Sequence, residues 1–192
     1  DGADAFPLEQ SQWSDQDGDG YGDNSSGFEA DDCPAEEGYS YIGLLGCPDE
    51  DNDGTAQSND AFPDDSTQWS DADGDGYGDN PNGTNPDACP AVVGTSTIDR
   101  FGCPDEDLDG ASDLNDLWLG DSTQWFDTDG DGYGDNEAGT MGDSCPNESG
   151  LSYKGSKQGC PDNDGDGWAD IEDAFPQQDS QWLDSDGDGW GD

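Results

Sequence analysis

Aspartate recurs in this chain at a spacing suited to one task, holding a hard cation. A first loop pattern, D-x-D-G-D-G-[YW]-G-D, occurs four times: Asp15, Asp17, Asp19, Asp23; Asp71, Asp73, Asp75, Asp79; Asp127, Asp129, Asp131, Asp135; and Asp184, Asp186, Asp188, Asp192. A second, D-x-D-x-D-G-x5-D, occurs three times: Asp49, Asp51, Asp53, Asp60; Asp105, Asp107, Asp109, Asp116; and Asp162, Asp164, Asp166, Asp173. Carboxylates at positions 1, 3 and 5 wrap round one ion when the backbone turns sharply, and Gly at position 6 permits that turn. Position 7 offers its carbonyl, from Tyr21, Tyr77, Tyr133 and Trp190 in the first loops and from Thr55, Ala111 and Trp168 in the second. Position 9 supplies an aspartate in the first loops, and Gln57, Asp113 or Asp170 in the second, directly or through water.

The second loop has the EF-hand spacing, with Asp instead of Glu at position 12. Asp is shorter, so closing the site brings the chain nearer the ion. EF-hand helices are not expected, because Pro63 or Pro176 follows position 12 by three residues. The first loop lacks an acid at position 12. Asp31, Asp87 and Asp143 recur at position 17; they close that site, bridge to a neighbouring ion, or stand as solvated acids before a cysteine. Oxygen ligands without sulfur or imidazole select Ca2+ or Mg2+, and crowded carboxylates favour Ca2+, which accepts about six to eight oxygens. Without a cation, carboxylates so close would repel one another.

The loops belong to a larger period. DAFPLEQSQW from Asp4 returns as DAFPDDSTQW from Asp60, DLWLGDSTQW from Asp116 and DAFPQQDSQW from Asp173, at offsets of 56, 56 and 57 residues. The expected organisation is the end of a truncated repeat at 1–3, repeats at 4–59, 60–115 and 116–172, and a partial repeat at 173–192. Because both ends cut through a loop, the chain reads as a window on a longer array. Gly and Pro interrupt helix and strand throughout. The expected fold is mostly irregular: tandem repeats stabilised by metal and disulfide, with short strands at 39–43 and 95–99, one helical turn at 112–118, and an elongated rod overall.

Composition agrees. The chain has 192 residues, 50 acidic and three basic, no histidine, and a formal charge of −47. Leu, Ile, Val and Phe together make up about a tenth of it, below the roughly 20% at which charged chains are expected to be disordered without other support. The charge argues against nucleic acid and anionic membrane surfaces as partners, and no apolar run suffices for direct membrane insertion. Acid–base chemistry by histidine is absent, and no carboxylate pair breaks the repeat pattern, so catalysis is not expected.

The six cysteines keep the same beat. Repeat symmetry leaves two schemes: Cys33–Cys47, Cys89–Cys103 and Cys145–Cys160 within repeats, or Cys47–Cys89 and Cys103–Cys145 between them. The local scheme is favoured, since a ring of this size contributes about 3 kcal/mol. Disulfides imply an oxidising, extracellular or cell-surface setting. Trp13, Trp69, Trp125 and Trp182 precede the first loops; they are read as small apolar clusters, with a sugar-binding row as the sharper alternative. Sequons at Asn24, Asn82 and Asn147 share no phase in the repeat and are read as chance.

DGDGYGDN and GCPD resemble the thrombospondin type 3 repeat and, more closely, Asp-rich repeat surface proteins of marine archaea and bacteria. The resemblance implies Ca2+ at Asp15, Asp17, Asp19, Asp23 and their copies, and an extracellular structural or adhesive role. The AFPxDxxQW stretch and the longer period depart from the animal repeat. The reading is a calcium-stiffened segment of a stalk, adhesin or filament that self-associates along or between chains. Glycans and other surface proteins are the further candidate partners. A carbohydrate-binding adhesin and a dockerin-like partner-binding module are the alternatives.

Overall fold

The computed structural model describes residues 4–192; the truncated-repeat end expected at 1–3 lies outside the described residues. Among the described residues there is no helix and no extended strand, only turns, bends and three isolated bridges, Gly22 with Ala30, Ile42 with Thr55, and Gly134 with Gly142. The chain forms two compact units, Asp1–Val93 and Gly94–Asp192.

The strands expected at 39–43 and 95–99 do not form. The N–H groups of Tyr41 and Ile42 both donate to the Gly54 carbonyl at 2.9 Å, and those of Thr97 and Ile98 both donate to Gly110 at 2.7 and 2.9 Å. Successive N–H groups of a pleated strand point opposite ways, so two sharing one carbonyl require a bent backbone. The turn expected at 112–118 is present as a single closure: Asn115 and Asp116 both donate to Ser112 O, at 2.8 and 2.9 Å. It stops there because Asp116 Oδ1 takes the Trp118 N–H at 2.7 Å.

With so few aliphatic residues, the interior is polar. The only buried apolar residues are Cys47, Ala56, Cys103, Ala111, Cys160 and Ala169 among those described, and no aromatic side chain is fully buried. The repeated aromatics are half-buried or exposed and form no buried core, although Trp168 and Trp182 stack with ring centroids 6.5 Å apart. Trp13 is 55% exposed, and Trp69 and Trp182 are each 42% exposed. Buried glutamines take the central place. Gln12 Oε1 accepts the Asn24 N–H at 3.0 Å, while its Nε2 donates to the carbonyls of Asn24 and Phe28 at 3.1 and 3.2 Å. Gln68 makes the same three bonds to Asn80 and Thr84, and Gln124 to Asn136 and Thr140. A Cβ on Gly134 would lie 2.0 Å from Gln124 Oε1, so glycine is required opposite the glutamine.

A second polar anchor supports the cysteines. Ser40 Oγ accepts the Cys47 N–H at 2.9 Å, and Ser152 Oγ accepts that of Cys160 at 2.9 Å. Cys33 is bonded to Cys47 and Cys145 to Cys160; Cys89 and Cys103 are also disulfide-bonded, and no cysteine is free. Three disulfides suggest an oxidising, extracellular environment. No helix among the described residues is long and apolar enough to cross a membrane.

Replacing Gln124 with Ala removes three hydrogen bonds from a buried side chain to part-buried backbone groups, each worth about 1 kcal/mol. The expected loss is ~3 kcal/mol, with unfolding at lower temperature in near-ultraviolet dichroism; Gln178→Ala, at an exposed position, should leave the transition unmoved.

Candidate metal centres

All seven aspartate loops close the same way. The N–H of position 9 donates to the carbonyl of the residue before position 1: Asp23 to Ser14 at 3.0 Å, Gln57 to Pro48 at 2.8 Å, and the other five between 2.8 and 3.1 Å. The position-1 carboxylate braces the turn with both oxygens. Asp49 Oδ1 accepts the Asn52 N–H at 2.8 Å and Oδ2 accepts Gly54 N–H at 2.9 Å. Asp15, Asp71, Asp105, Asp127, Asp162 and Asp184 do likewise. At position 5, one oxygen accepts the N–H of position 7, as from Asp19 to Tyr21 at 2.8 Å and from Asp53 to Thr55 at 2.6 Å.

Position 6 is left-handed in every loop, as anticipated for glycine; φ is +99° at Gly20 and +100° at Gly54. Position 4 is left-handed as well, with Gly in five loops but Asn52 and Leu108, each at φ 65°, in the other two. Leu108 holds a conformation that disfavours a β-carbon by about 1–2 kcal/mol.

Once the loop is braced, oxygens remain. Among the described residues, the buried side-chain polar atoms without a hydrogen-bond partner are all oxygens. They belong to Asp17, Asp31, Asp51, Asp53, Thr55, Gln57, Asp73, Asp87, Asp107, Asp109, Asp129, Asp143, Asp164 and Asp166. Every one of these residues is in the ligand set derived from sequence. Asp31, Asp87 and Asp143, at position 17, are buried and not solvated. At Thr55 the bare buried atom is the hydroxyl, an added donor beside the carbonyl anticipated at position 7.

The geometry gathers them. Asp15, Asp17 and Asp19 each place an oxygen within 4.8 Å of the others', as do Asp49, Asp51, Asp53; Asp71, Asp73, Asp75; Asp105, Asp107, Asp109; Asp127, Asp129, Asp131; and two further groups. Position 9 of the first loops also braces: Asp23 Oδ1 accepts the Gln16 N–H at 3.1 Å, and Asp135 Oδ1 that of Thr128 at 2.9 Å. Position 12 of the second loops also braces, with Asp60 and Asp173 each accepting the N–H two residues on at 2.7 Å.

Burial raises the pKa of Asp31, Asp87 and Asp143; the cysteine N–H each accepts opposes the shift, and the nearby loop carboxylates add to it. Burial likewise raises Asp51, Asp60, Asp109, Asp116, Asp129 and Asp173. Basic residues are scarce, three against 50 acidic ones; Lys157 pairs with Glu137 at 3.9 Å, away from the loops. Lys154 donates to the Asp166 backbone carbonyl. The residues thus fit a hard cation: bare oxygens, preset turns and uncompensated charge.

The glutamines and serines of the interior were not singled out from sequence. The signal was present, since Gln12, Gln68, Gln124 and Gln181 each precede the repeated tryptophan.

Two predictions follow from the site. A carboxyl whose pKa folding raises favours the folded state while protonated; that advantage is full below the ordinary value of 3.8 and is lost as pH rises through the raised one. In chelator, aromatic dichroism should therefore strengthen as pH falls from about 7 towards about 4, whereas in millimolar Ca2+ it should weaken as protons displace metal from the same oxygens. Asp65 and Asp121, held low by threonine hydroxyls, act in the opposite sense but at exposed, screened positions. Separately, Leu108→Gly relieves the left-handed strain and should tighten cation binding at that loop several-fold in a calcium titration. Comparison with protein-family models and with curated proteins finds no match for this chain.

Proposed function

We propose that the chain is a calcium-binding structural segment of an extracellular stalk, adhesin or filament, stiffened by Ca2+ in its aspartate loops. The observation that carries this reading is the set of buried, unpartnered oxygens, all of them on residues of the ligand set. A buried polar atom without a partner is destabilising, and a buried unpaired charge far more so. A divalent cation satisfies both. Carboxylate, carbonyl and hydroxyl oxygens in a crowded loop suit Ca2+ better than Mg2+, which keeps its waters. Disulfides support an oxidising, extracellular setting, where Ca2+ is abundant.

The role is structural and not enzymatic. Each 56-residue repeat has only its neighbours to pack against, the arrangement of a quasi-one-dimensional array, so an elongated rod is the shape proposed. One divalent ion in each of seven loops removes less than a third of the charge of −47. Bare rods would repel, and additional Ca2+ bridging surface carboxylates would let chains associate laterally.

Chelation should abolish near-ultraviolet aromatic dichroism and expand the chain in small-angle scattering, and Ca2+ should restore both. Identical profiles in chelator and in calcium would sink the reading. Scattering length should grow with repeat number, and lateral association should rise with Ca2+; a compact globule overturns the rod, and a strict monomer in millimolar Ca2+ overturns the association.

The exposure of Trp13, Trp69 and Trp182 favours a second reading, a carbohydrate-binding adhesin whose rings stack on sugar faces. Loss of glycan binding in Trp→Ala variants that keep their calcium-dependent dichroism would select it.

A further inference from the structure

Asp31, Asp87 and Asp143 lie outside the nine-residue loops, yet they are among the most buried acids in the chain, at 4%, 7% and 1% exposure. In each, Oδ1 accepts the N–H of the cysteine two residues on, at 2.7, 2.6 and 2.7 Å. In each, Oδ2 is buried without any partner. A simple turn-capping acid would leave its second oxygen in water. Three copies that bury it point to a ligand.

The backbone presses this second segment against the first loop. The N–H groups of Asp31, Asp87 and Asp143 donate to the carbonyls of Gly22, Gly78 and Gly134, at position 8, at 2.9, 2.9 and 2.7 Å. A Cβ on Gly46 would lie 2.5 Å from Asp31 Oδ1 and 3.0 Å from Asp19 Oδ2, so both carboxylates converge on one point above that glycine. A Cβ on Gly159 would lie 2.2 Å from Asp143 Oδ1. The loop is tied to the same region from its other side, where Asp19 Oδ2 accepts the Gly38 N–H at 3.2 Å and Asp131 Oδ2 accepts the Gly150 N–H at 2.9 Å. Glycine is obligatory there too, because a Cβ on Gly38 or Gly150 would sit 1.9 Å from the carbonyl carbon of Cys47 or Cys160.

We propose that Asp31, Asp87 and Asp143 are the closing cation ligands of the first three D-x-D-G-D-G loops, making each a two-segment site whose second segment is pinned by the adjacent disulfide. The proposal rests on the calcium reading above and deepens it. It gives the two loop types different architectures: the second is self-contained within twelve residues, whereas the first is completed only when the chain returns sixteen residues after position 1. Ion and disulfide are then coupled. The cation holds the stretch before Cys33 and Cys145, and each disulfide limits how far that stretch can leave.

Asp143→Asn separates ligand from cap. Asparagine keeps an oxygen for the Cys145 N–H and replaces the bare oxygen with an amide nitrogen, which does not bind Ca2+. In the full chain, equilibrium dialysis with Ca2+ should show one ion lost or bound at least tenfold more weakly. Amide exchange in 127–135, slowed by Ca2+ in the parent, should no longer be slowed, and Cys145–Cys160 should lose its calcium protection against reductant. In chelator the variant should be at least as ordered as the parent, because a buried charge has been removed. Asp179→Asn, which removes one exposed charge outside every loop, should leave binding unchanged and so controls for the long-range field. Asp31→Asn repeats the test in the other unit, should Asp143→Asn fail to fold. Parent stoichiometry and affinity in Asp143→Asn overturn the proposal while the calcium reading stands. A parent chain that binds no Ca2+ overturns both.

Discussion

The constraint on which the structure depends is a bare, buried carboxylate oxygen in a chain that has three basic residues for 50 acidic ones. Every loop gathers three carboxylates, and the fold then buries part of them. Coulomb repulsion and lost hydration both oppose that arrangement. Raised pKa values at Asp31, Asp87, Asp109, Asp143 and others are the trace of this opposition. A protein with a large apolar core could offset such a penalty by burial elsewhere. Here the buried apolar residues are only cysteine and alanine among those described, and a bound ion is the compensation proposed.

Each aspartate divides its work. At positions 3 and 5 of the second loops, one oxygen accepts a backbone N–H and the other stays free, as in Asp51 and Asp53. The bracing bonds satisfy N–H groups that a helix or strand would otherwise pair, which explains how a chain without regular structure accounts for its backbone. The free oxygens then have fixed positions. Preset turns lower the entropy lost when an ion is bound, much as preorganisation does for any ligand.

Polar side chains take over the role of a hydrophobic core. Gln12, Gln68 and Gln124 each tie one segment to two others through three hydrogen bonds, and Ser40 and Ser152 hold the cysteine backbones. Directional bonds of this kind specify one geometry but contribute little net stability each, since water competes for the same groups. The disulfides and the proposed ions supply what those bonds do not. Aromatic rings are half-buried or exposed, and Tyr41 and Tyr153 lie against the position-6 glycines of their loops, where a Cβ on Gly54 or Gly167 would strike the ring at 2.4 or 2.7 Å.

The loops, their glycine at position 6 and the cysteine beat were legible in the sequence because each is a local matter, decided within about a dozen residues by spacing and backbone sterics. What the sequence left open was settled by segments meeting in space. Position 17 stood equally as ligand, bridge or solvated acid; only the return of the chain onto the loop buries Asp31 and Asp143. Two disulfide schemes fitted the repeat, and the structure pairs Cys33 with Cys47 and Cys145 with Cys160. Composition pointed to the aromatics as the interior, yet the largest fully buried side chains are glutamine, aspartate, serine and cysteine, placed there by hydrogen bonds to segments distant in sequence. Strand propensity at 39–43 yielded to the single carbonyl of Gly54, which takes two N–H groups at once. Local spacing thus determined which atoms could bind an ion, and tertiary burial decided which of their oxygens were left without any other partner.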